Sequence, residues 1–488
     1  MKIKRIMIAA PKSGSGKTTV TCALLQALKN KGEAPVAFKC GPDYIDPMFH
    51  EKALGVPSYN LDTFFTGREQ TGQLFENHAA GAKVAVMEGV MGLYDGLGGI
   101  QEEGSSYHLA KITGTPVVLV ADVKGMGRSI LPFLAGFLQY DTERLIRGVI
   151  LNRISERLYE TIKPMIEKEL HLSVTGFLPE KEGFHVGSRH LGLVMPDELE
   201  GIKGRLAKLS AEFEKTVSLP DIMRIAGSAG EVEKAGTGSQ SEDESEEEAG
   251  WGRAADDLER GVGWGKPAGE SMRKDGVETK PVIAVARDEA FCFYYRDNLL
   301  LLQENGARLV WFSPLHDERL PDACNGLLIG GGYPELYAEK LSKNITMRKS
   351  VREAVERGMP VVAECGGFMY LHGALIDREG TSYAMAGVIP AKCYDTGKLV
   401  RFGYIEMQEK KSCFLPEGSK IKGHEFHYYD STCNGEDIMA VKPVTGKGYF
   451  CVIEEENKWM GFPHLYYPSN PAFAKLFVEK AGVYGKEI

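Results

Sequence analysis

The segment Ala9–Val20 has residue types and spacing suited to binding the phosphates of a nucleotide. It reads Ala-Ala-Pro-Lys-Ser-Gly-Ser-Gly-Lys-Thr-Thr-Val and follows an apolar run that favours a strand. Gly14 and Gly16 let the backbone curl so that its N–H groups point at phosphate oxygens, and the start of a helix adds partial positive charge. The predicted nucleotide-binding residues of this loop are Lys12, Ser13, Gly14, Ser15, Gly16, Lys17, Thr18 and Thr19.

Two side chains of this loop carry specific expectations. Lys17 would reach the β- and γ-phosphates of ATP, and the Thr18 hydroxyl would ligate Mg²⁺. The match departs from the usual motif at its first glycine, which is Pro11 here, and the alternative is a solvated Gly/Ser turn before a helix. Asn152, at the end of the predicted strand Gly148–Leu151, could hydrogen-bond the adenine edge, although a helix cap is an equal alternative.

Three carboxylates follow predicted strands and could complete a magnesium site. Glu88 comes directly after Val84–Met87, and Asp43 and Asp46 follow Pro35–Lys39. A carboxylate at the carboxyl end of a strand beside a phosphate loop is well placed for a second contact to Mg²⁺. For each of the three, the alternative is a residue of a turn or a helix cap.

Cys365 lies at a predicted strand-to-helix turn that is typical of a nucleophile. The strand Pro360–Ala363 precedes it, and Gly366 and Gly367 follow it. A sharp turn of this kind exposes the thiol, and we expect the helix N-terminus to favour the thiolate. A cysteine buried as a small apolar side chain is the alternative, and the flanking glycines argue against it.

A second glycine-rich turn, Gly330-Gly-Gly-Tyr-Pro-Glu-Leu, also follows an apolar run. Its backbone N–H groups could stabilise an oxyanion formed when Cys365 attacks a carbonyl carbon. The predicted oxyanion donors are Gly331, Gly332 and Gly366.

The Cys365 thiol also needs a base, and three histidines compete for that role. His464 lies 99 residues downstream of Cys365, while His424 and His427 lie in the segment Gly423-His-Glu-Phe-His-Tyr-Tyr. Spacing in the sequence does not choose among the three.

The spacing of apolar runs predicts an α/β fold with two doubly wound, mainly parallel sheets. Short runs rich in β-branched residues alternate with helix-sized segments such as Thr18–Lys31, Asp297–Asn305 and Arg348–Arg357. Such alternation implies parallel strands covered by helices. The predicted strands are Ile3–Ala10, Pro35–Lys39, Val84–Met87, Pro116–Ala121, Gly148–Leu151, Val282–Ala286, Leu309–Phe312, Gly326–Ile329 and Pro360–Ala363.

A change of composition divides the 488 residues into two domains, 1–225 and 281–488. Between them, residues 226–280 are rich in Gly, Ser and acidic residues and contain Trp251 and Trp264. This stretch cannot bury enough apolar surface to offset the entropy of ordering, so it is predicted to be a flexible, disordered acidic linker. It carries 14 acids against 7 bases, and it therefore supplies most of the formal net charge of -9.

Composition excludes several classes of protein. The motifs and the lack of a basic cluster argue against a nucleic-acid partner, whereas the net charge says little because most of it lies in the linker. The apolar runs are strand-sized, so no membrane association is expected, and the N-terminal run is too short for a signal peptide. Nine scattered cysteines without a CxxC pair favour free thiols in the reducing cytoplasm.

Taken together, these motifs resemble a known family. Gly330-Gly-Gly-Tyr-Pro-Glu, Glu364-Cys-Gly-Gly-Phe and Pro463-His resemble a class I (triad-type) glutamine amidotransferase domain. Lys12 resembles the extra lysine of the ParA/MinD and dethiobiotin synthetase group of P-loop ATPases. Joined in one chain, the two halves resemble the cobyrinate a,c-diamide synthases. The segments 39–47, 188–193 and 423–428 strengthen the resemblance, which covers residues 1–210 and 281–480.

The resemblance implies roles for residues and partners. Cys365 would be the nucleophile of glutamine hydrolysis and His464 its activator. Most triad enzymes carry an acidic residue two positions after the histidine, but here that residue is Tyr466. The cobyrinate family likewise lacks this acid, so the resemblance does not say which group orients His464. ATP with Mg²⁺ would convert a carboxylate of a cobyrinate-type polycarboxylate macrocycle into an acyl phosphate. Ammonia from L-glutamine would then reach it through an internal passage and form an amide in cobalamin biosynthesis.

The macrocycle needs cationic and hydrogen-bonding groups near the ATP. The candidates are Lys39, Tyr44, Arg189 and His190, and the alternative for Arg189 and His190 is a pair at the surface.

Two other activities are compatible with the same motifs. A cobyric acid synthase or a nickel-sirohydrochlorin diamide synthase shares the architecture, although the segment Ser188–Leu193 favours the a,c-diamide group over cobyric acid synthase. A ParA/MinD-like ATPase switch with an inactive amidotransferase-like tail is the alternative from another class. Intact Cys365 and His464 argue against a switch, as does the lack of a basic amphipathic tail.

Overall fold

The computed structural model describes residues 3–180, 196–232 and 280–487. The chain divides into two compact units, residues 1–244 and 245–488. The acidic stretch 233–279, with Trp251 and Trp264, and the candidates Arg189 and His190 lie outside the described residues.

The first unit is built on one parallel sheet. Its strands are β1 (Lys4–Ala9), β2 (Pro35–Cys40), β3 (Ser58–Leu61), β4 (Val84–Glu88), β5 (Val117–Asp122), β6 (Ile146–Asn152) and β7 (Ser173–Leu178). They form a seven-stranded sheet in the order β3-β2-β4-β1-β5-β6-β7, and every neighbouring pair is parallel. The strands are apolar and buried almost throughout, as expected when both faces of a parallel sheet are covered.

Helices connect these strands. They are α1 (Lys17–Asn30), α2 (Ile45–Phe49), α3 (Thr63–Ala79), α4 (Ser106–Ile112), α5 (Ile130–Tyr140), α6 (Glu156–Leu170), α7 (Pro196–Thr216) and α8 (Leu219–Ala226), with a π-helical turn at His50–Leu54 directly after α2. Apolar residues of α1, α7 and α8 pack on the sheet in one core cluster with β1, β4 and β5.

The chain beyond α8 continues on the first unit. Residues 227–232 fall in the predicted linker, yet Gly230 donates its N–H to the carbonyl of Gly114. The fully buried guanidinium of Arg5 donates to Gly230 O (2.6 Å) and Thr113 O (2.7 Å). These bonds satisfy a buried charge with backbone carbonyls and fasten the segment to the start of β1.

The second unit has a mainly parallel sheet, a five-stranded antiparallel sheet, a four-stranded mixed sheet and a two-stranded antiparallel one. The strands are β8 (Val282–Ala286), β9 (Phe291–Phe293), β10 (Arg308–Phe312), β11 (Gly326–Ile329), β12 (Gly331–Gly332), β13 (Val361–Glu364), β14 (His372–Ile376), β15 (Ser382–Ala384), β16 (Ile389–Asp395), β17 (Arg401–Gln408), β18 (Lys420–His427), β19 (Tyr429–Ser431), β20 (Ile438–Val441), β21 (Gly448–Cys451), β22 (Ile453–Glu455), β23 (Lys458–Gly461) and β24 (His464–Leu465). The helices are α9 (Arg296–Glu304), α10 (Ala338–Lys343), α11 (Ile345–Glu356), α12 (Gly366–Leu371) and α13 (Ala472–Glu487).

The order of the main sheet is β10-β8-β11-β13-β23-β22, and only the β22–β23 pair within it is antiparallel. A five-stranded antiparallel sheet, β21-β20-β17-β18-β24, and a four-stranded sheet, β15-β14-β16-β19, lie beside it. The predicted α/β class with two mainly parallel sheets is confirmed. The strands of residues 372–455 are an addition that the sequence analysis did not anticipate.

Candidate active sites

The phosphate loop of the first unit has the backbone shape that its glycines predict. Gly14 and Gly16 adopt left-handed φ angles of 76° and 98°, and Gly16 caps the start of α1. Asn152 donates its side-chain N–H to the carbonyl of Ser15 (2.8 Å). A Cβ on Gly16 would lie 2.5 Å from that amide nitrogen, so any other residue there would collide with Asn152. Asn152 therefore shapes the loop, and its contact with adenine stays a prediction.

Lys17 is held beside the loop that follows β4. Its ammonium donates to the carbonyl of Met91 (2.5 Å), and the residue is buried. Burial, and then the nearby Lys39 ammonium, lower the pKa of Lys17 to about 8. Its charge is therefore poorly compensated before a phosphate arrives, which favours binding of an anion.

Glu88 is the centre of a buried polar cluster. The Thr18 hydroxyl donates to Glu88 Oε1 (2.6 Å), and Lys39 Nζ lies 3.1 Å from the same oxygen. His50 Nε2 lies 3.3 Å from Glu88 Oε2. Burial alone would raise the pKa of Glu88, but the positive charge of Lys39 and the contacts with His50 and Thr18 hold it well below the usual range.

The register of the sheet explains why these groups meet. Lys39 of β2 is directly paired with Glu88 of β4, so their side chains point to the same face. Asp46 and His50 are four residues apart on the continuous helical segment after β2, and they lie on one side of it. Sequence reasoning missed His50, although its i+4 spacing from Asp46 was a usable signal.

The two predicted aspartates behave differently. Asp46 is buried and forms an ion pair with Lys39, and burial together with the Glu88 charge raises its pKa well above the usual value. Asp43 Oδ1 accepts from the N–H of Ile45 (2.7 Å), which is the turn alternative, while its other oxygen lies 3.9 Å from Lys39 Nζ.

The donors of this cluster fit magnesium held jointly with phosphates. Within residues 3–180, 196–232 and 280–487, no group of three or more His, Cys, Asp or Glu side chains is arranged to hold a metal alone. Mg²⁺ commonly uses one or two carboxylates, and phosphate oxygens and water supply the rest. The predicted ligands Thr18, Glu88, Asp46 and Asp43 are hard oxygen donors gathered around Lys39, which meets that requirement.

Two of the four residues predicted to contact the macrocycle, Lys39 and Tyr44, belong to the part of the chain that the structure describes. Lys39 is almost fully buried and is committed to the carboxylates of the cluster. Tyr44 is buried at the start of α2, next to Asp43. Lys39 thus reaches the phosphate loop through Glu88, which contacts both Lys39 and Thr18, and the side chains of Lys39 and Tyr44 are buried.

In the second unit, Cys365 lies at a sharp turn between β13 and α12. Its φ of 48° and ψ of -103° are unusual for a residue with a side chain, and they turn the chain from strand to helix in one step. The Cys365 N–H donates to Gly461 O (2.8 Å), and the N–H of Gly367 donates to Gly330 O (3.0 Å). A Cβ on Gly367 would lie 2.0 Å from the carbonyl of Ile329, so only glycine fits.

The predicted oxyanion donors come together at this turn. A Cβ on Gly366 would lie 3.1 Å from the backbone nitrogen of Gly332. A Cβ on Gly331 would lie 2.3 Å from His464 Cε1. The two glycine turns therefore approach each other closely, as an oxyanion site requires, and the Gly331 turn lies against the His464 ring.

The structure distinguishes the three candidate histidines. His464 of β24 is paired with His424 of β18, and their ring centroids lie 5.5 Å apart. His427 instead stacks on Phe462 at 4.1 Å, and its Nδ1 lies 2.7 Å from the carbonyl of Tyr429. The three atoms nearest to a Cβ on Gly331 all belong to the His464 ring, so the geometry favours His464 as the base for Cys365.

The cysteine and the histidine are both neutral at rest. Burial, and then the Glu335 carboxylate, raise the pKa of the Cys365 thiol well above its usual value. The prediction that the helix N-terminus favours the thiolate is therefore wrong for this state, because the hydrogen bond from Gly366 does not offset desolvation. Burial and the neighbouring His424 likewise hold the pKa of His464 well below its usual value.

Known proteins share both halves of this arrangement. Residues 6–193 match the family described as the CobQ/CobB/MinD/ParA nucleotide binding domain. Residues 282–464 match the CobB/CobQ-like glutamine amidotransferase domain. The chain is also 37% identical, over 99% of both chains, to the cobyrinate a,c-diamide synthase of Caldanaerobacter subterraneus subsp. tengcongensis.

Two further relatives extend this similarity over the full length. Identity to the cobyrinate a,c-diamide synthase of Thermoplasma volcanium is 36%, over 100% of this chain and 99% of the relative. Identity to the enzyme of that name from Priestia megaterium is 34%, with the same coverage. The chain belongs to the cobyrinate a,c-diamide synthase family. Membership confirms the resemblance inferred from the motifs and the pairing of a nucleotide-binding domain with a glutamine amidotransferase domain.

Two remaining expectations concern the whole chain. All nine cysteines are free thiols, as their scattered positions predicted. Among the described residues, no helix is long and apolar enough to cross a membrane.

Proposed function

We propose that this protein amidates the a and c acetate carboxylates of cobyrinate, using ATP and ammonia taken from glutamine, in formation of the corrin ring of cobalamin. The observation that carries the proposal is the strained turn at Cys365, where Gly366 lies against Gly332 and the adjoining Gly331 lies against the His464 ring. An ATPase switch has no use for such a turn, whereas a glutamine-hydrolysing enzyme requires one.

The first unit would activate the substrate carboxylate. Lys17 and the backbone of the phosphate loop bind the phosphates of ATP and neutralise charge as the γ-phosphoryl group moves. The carboxylate oxygen attacks the γ-phosphorus, the bond to the β-phosphate oxygen breaks, and an acyl phosphate and ADP result. Thr18, Glu88 and Asp46 would hold Mg²⁺, which supplies charge neutralisation and orientation of phosphates when bound.

The second unit would release ammonia. His464 takes the Cys365 proton, and the thiolate sulfur attacks the side-chain amide carbon of glutamine. Backbone N–H groups of Gly331, Gly332 and Gly366 hold the resulting oxyanion. The carbon–nitrogen bond breaks and the nitrogen leaves as ammonia with the proton from His464. Water then releases glutamate from the thioester, and ammonia displaces phosphate from the acyl phosphate.

The buried state of Lys39 and Tyr44 limits how they could act on the macrocycle. Lys39 already forms ion pairs with Asp46 and Glu88. It would therefore attract an incoming substrate carboxylate as part of that charged cluster. Arg189 and His190 are candidates for contacts with the other carboxylates of the ring.

The direct test is mass measurement after incubation with cobyrinic acid, ATP, Mg²⁺ and glutamine. We expect two successive mass decreases, each equal to replacement of a hydroxyl by an amino group. No change with cobyrinic acid, but amidation of nickel-sirohydrochlorin, would contradict the proposed substrate and keep the amidation chemistry. Absence of glutaminase activity with either compound would contradict the chemistry itself.

A further inference from the structure

The hydroxyl of the residue two positions after His464 is bonded to a side chain of another element. This position is Tyr466, whose hydroxyl donates to Asp297 Oδ2 of α9 (2.8 Å). Both partners of that bond are buried. Tyr466 therefore anchors β24 to α9, and the group that orients His464 must be sought elsewhere.

A buried carboxyl group from another strand lies next to the His464 ring. Glu364, the last residue of β13, is 5% exposed, and its Oε2 lies 3.8 Å from His464 Nδ1. The register explains the contact, because Glu364 is paired with Gly461 at the end of β23, three residues before His464. The residue directly before the nucleophile thus reaches the base.

Hydrogen bonds fix both sides of this contact. The N–H of Leu465 and the hydroxyl of Tyr467 bond to the Glu364 carboxyl group. Asn298 of α9 accepts from the Tyr467 N–H (2.8 Å) and donates to the Leu465 carbonyl (2.8 Å). Neither the carboxyl group nor the segment that carries His464 can therefore rotate without losing buried hydrogen bonds.

The charges around His464 make an acid partner necessary. Burial is the main factor that opposes a positive charge on its ring, and two other histidines, His424 and His427, oppose it further. Glu364 Oε1 makes no hydrogen bond within the described residues, so this carboxyl group retains acceptor capacity. A buried imidazolium without an acceptor would be strongly disfavoured.

We propose that Glu364 is the positioning residue of the glutaminase centre and takes the part that Tyr466 cannot play. A Glu364 oxygen accepts the Nδ1 hydrogen of His464, which leaves Nε2 unprotonated and able to take the Cys365 proton. The inference rests on the proposed roles of Cys365 and His464. A separation of 3.8 Å is longer than a hydrogen bond, and such contacts commonly tighten when substrate is bound.

The protonation of Glu364 before substrate binds is consistent with a low resting rate of glutamine hydrolysis. Burial raises the pKa of Glu364 to about 8, so the carboxyl group is largely protonated near neutral pH. Its ionised form, present above that pH, stabilises the His464 imidazolium better than the neutral form does. The plot of kcat for glutamine against pH should therefore have a rising limb, and this limb should depend on the Glu364 carboxyl group.

The test compares two isosteric variants of the full-length protein, Glu364→Gln and Asp297→Asn. Each removes one buried carboxyl group near β24, but only the first faces His464. For each, kcat and KM for glutamine are measured across pH, together with ammonia-dependent synthesis and thermal unfolding. Cys365→Ala and His464→Ala are measured in parallel. If either variant retains glutaminase activity, the proposed catalytic pair is wrong, and this outcome is distinguishable from a failure of the inference about Glu364.

For Glu364→Gln we expect kcat for glutamine to fall about 10- to 100-fold, with KM within about twofold, and the rising limb to disappear. Ammonia-dependent synthesis should persist, and Asp297→Asn should keep the limb. Glutaminase within about twofold of the parent would overturn the inference. A rise in KM alone or an unchanged pH profile in Glu364→Gln would also overturn it. So would an unfolded Glu364→Gln variant that has lost synthesis with glutamine and with added ammonia. A loss of the limb in Asp297→Asn instead would assign the role to the Tyr466–Asp297 pair.

Discussion

The two candidate active sites differ in how they carry charge. Around Glu88, at least four ionisable groups are buried together, where Lys39 pairs with the carboxylates and His50 contacts Glu88. Around Cys365, burial holds the thiol and His464 in their neutral forms. Each arrangement avoids an isolated buried charge, one by pairing and the other by neutralisation.

The difference matches the two reactions proposed. Transfer of a phosphoryl group begins with highly charged reactants, so a preassembled set of charges is useful before they bind. Attack on a neutral amide begins without charge and creates it only in the transition state. The comparison predicts that substitutions at either centre separate the two activities.

The largest expected effect is that of Lys17→Ala. Removing the phosphate-loop lysine that is predicted to reach the terminal phosphates should lower synthesis with either glutamine or ammonia by at least about 10³-fold. Hydrolysis of glutamine should continue, since Cys365 belongs to the other unit. Lys31→Ala, an exposed lysine at the end of the same helix, is the matched control. Synthesis surviving in Lys17→Ala would contradict the assigned nucleotide site.

Cys365→Ala should produce the converse pattern. Synthesis with glutamine should fall by at least about 10³-fold because no thioester can form, while synthesis with added ammonia remains. Both rates follow from the mass assay. The exposed Cys433 offers a control, since Cys433→Ala should change neither rate. If the ammonia-dependent reaction disappears as well, the proposed division of labour between the centres is incorrect.

A smaller effect is expected from His50→Gln, which removes a partner of Glu88 and keeps a hydrogen-bonding side chain. Synthesis with ammonia should fall about tenfold, because Glu88 loses one compensating contact but keeps Lys39 and Thr18. Glutaminase activity should not change. An equal fall in both activities would show that His50 affects more than the charged cluster, and thermal unfolding would identify a general loss of stability.

The fold could be predicted from sequence where structure is encoded locally. The strands β1, β4 and β5 are buried on both faces, so they read as continuous apolar runs between helix-sized segments. The strands of the antiparallel sheet are harder to recognise. In β18, buried and partly exposed residues alternate, and in β17 only Ile405 and Met407 are fully buried. Charged residues interrupt both, and no continuous apolar run marks them.

The sites show the same division. The glycine turns and Cys365 are visible because backbone geometry demands particular residues at adjacent positions. The contact between Glu364 and His464 depends on the pairing of β13 with β23, and the contact between His50 and Glu88 on the order of the parallel sheet. Such contacts join residues far apart in sequence. The expected thiolate failed for a related reason, because burial from all sides outweighs one local helix N-terminus.

The smallest expected effect is the pH dependence of the Kd for ATP, which the glutamine-hydrolysing centre should not share. The pKa of Lys17 is lowered to about 8 by burial and by Lys39, so its protonated fraction falls from about half at that pH to about a tenth one unit higher. Phosphate binding favours the ammonium form. The Kd for ATP should therefore be level below about pH 7 and rise toward tenfold per unit above pH 8, with uptake of up to one proton.

Calorimetry in buffers of different ionisation enthalpy measures both the affinity and the proton uptake. Lys17→Arg provides the control, since a guanidinium remains charged throughout this range and the slope should vanish even if affinity falls. Glutamine hydrolysis depends on a different set of groups and should not follow the same curve. An ATP affinity that is independent of pH in the parent protein would mean that Lys17 is compensated before the nucleotide binds. The contrast between a charged and a neutral centre would then lie in Glu88 and its partners alone.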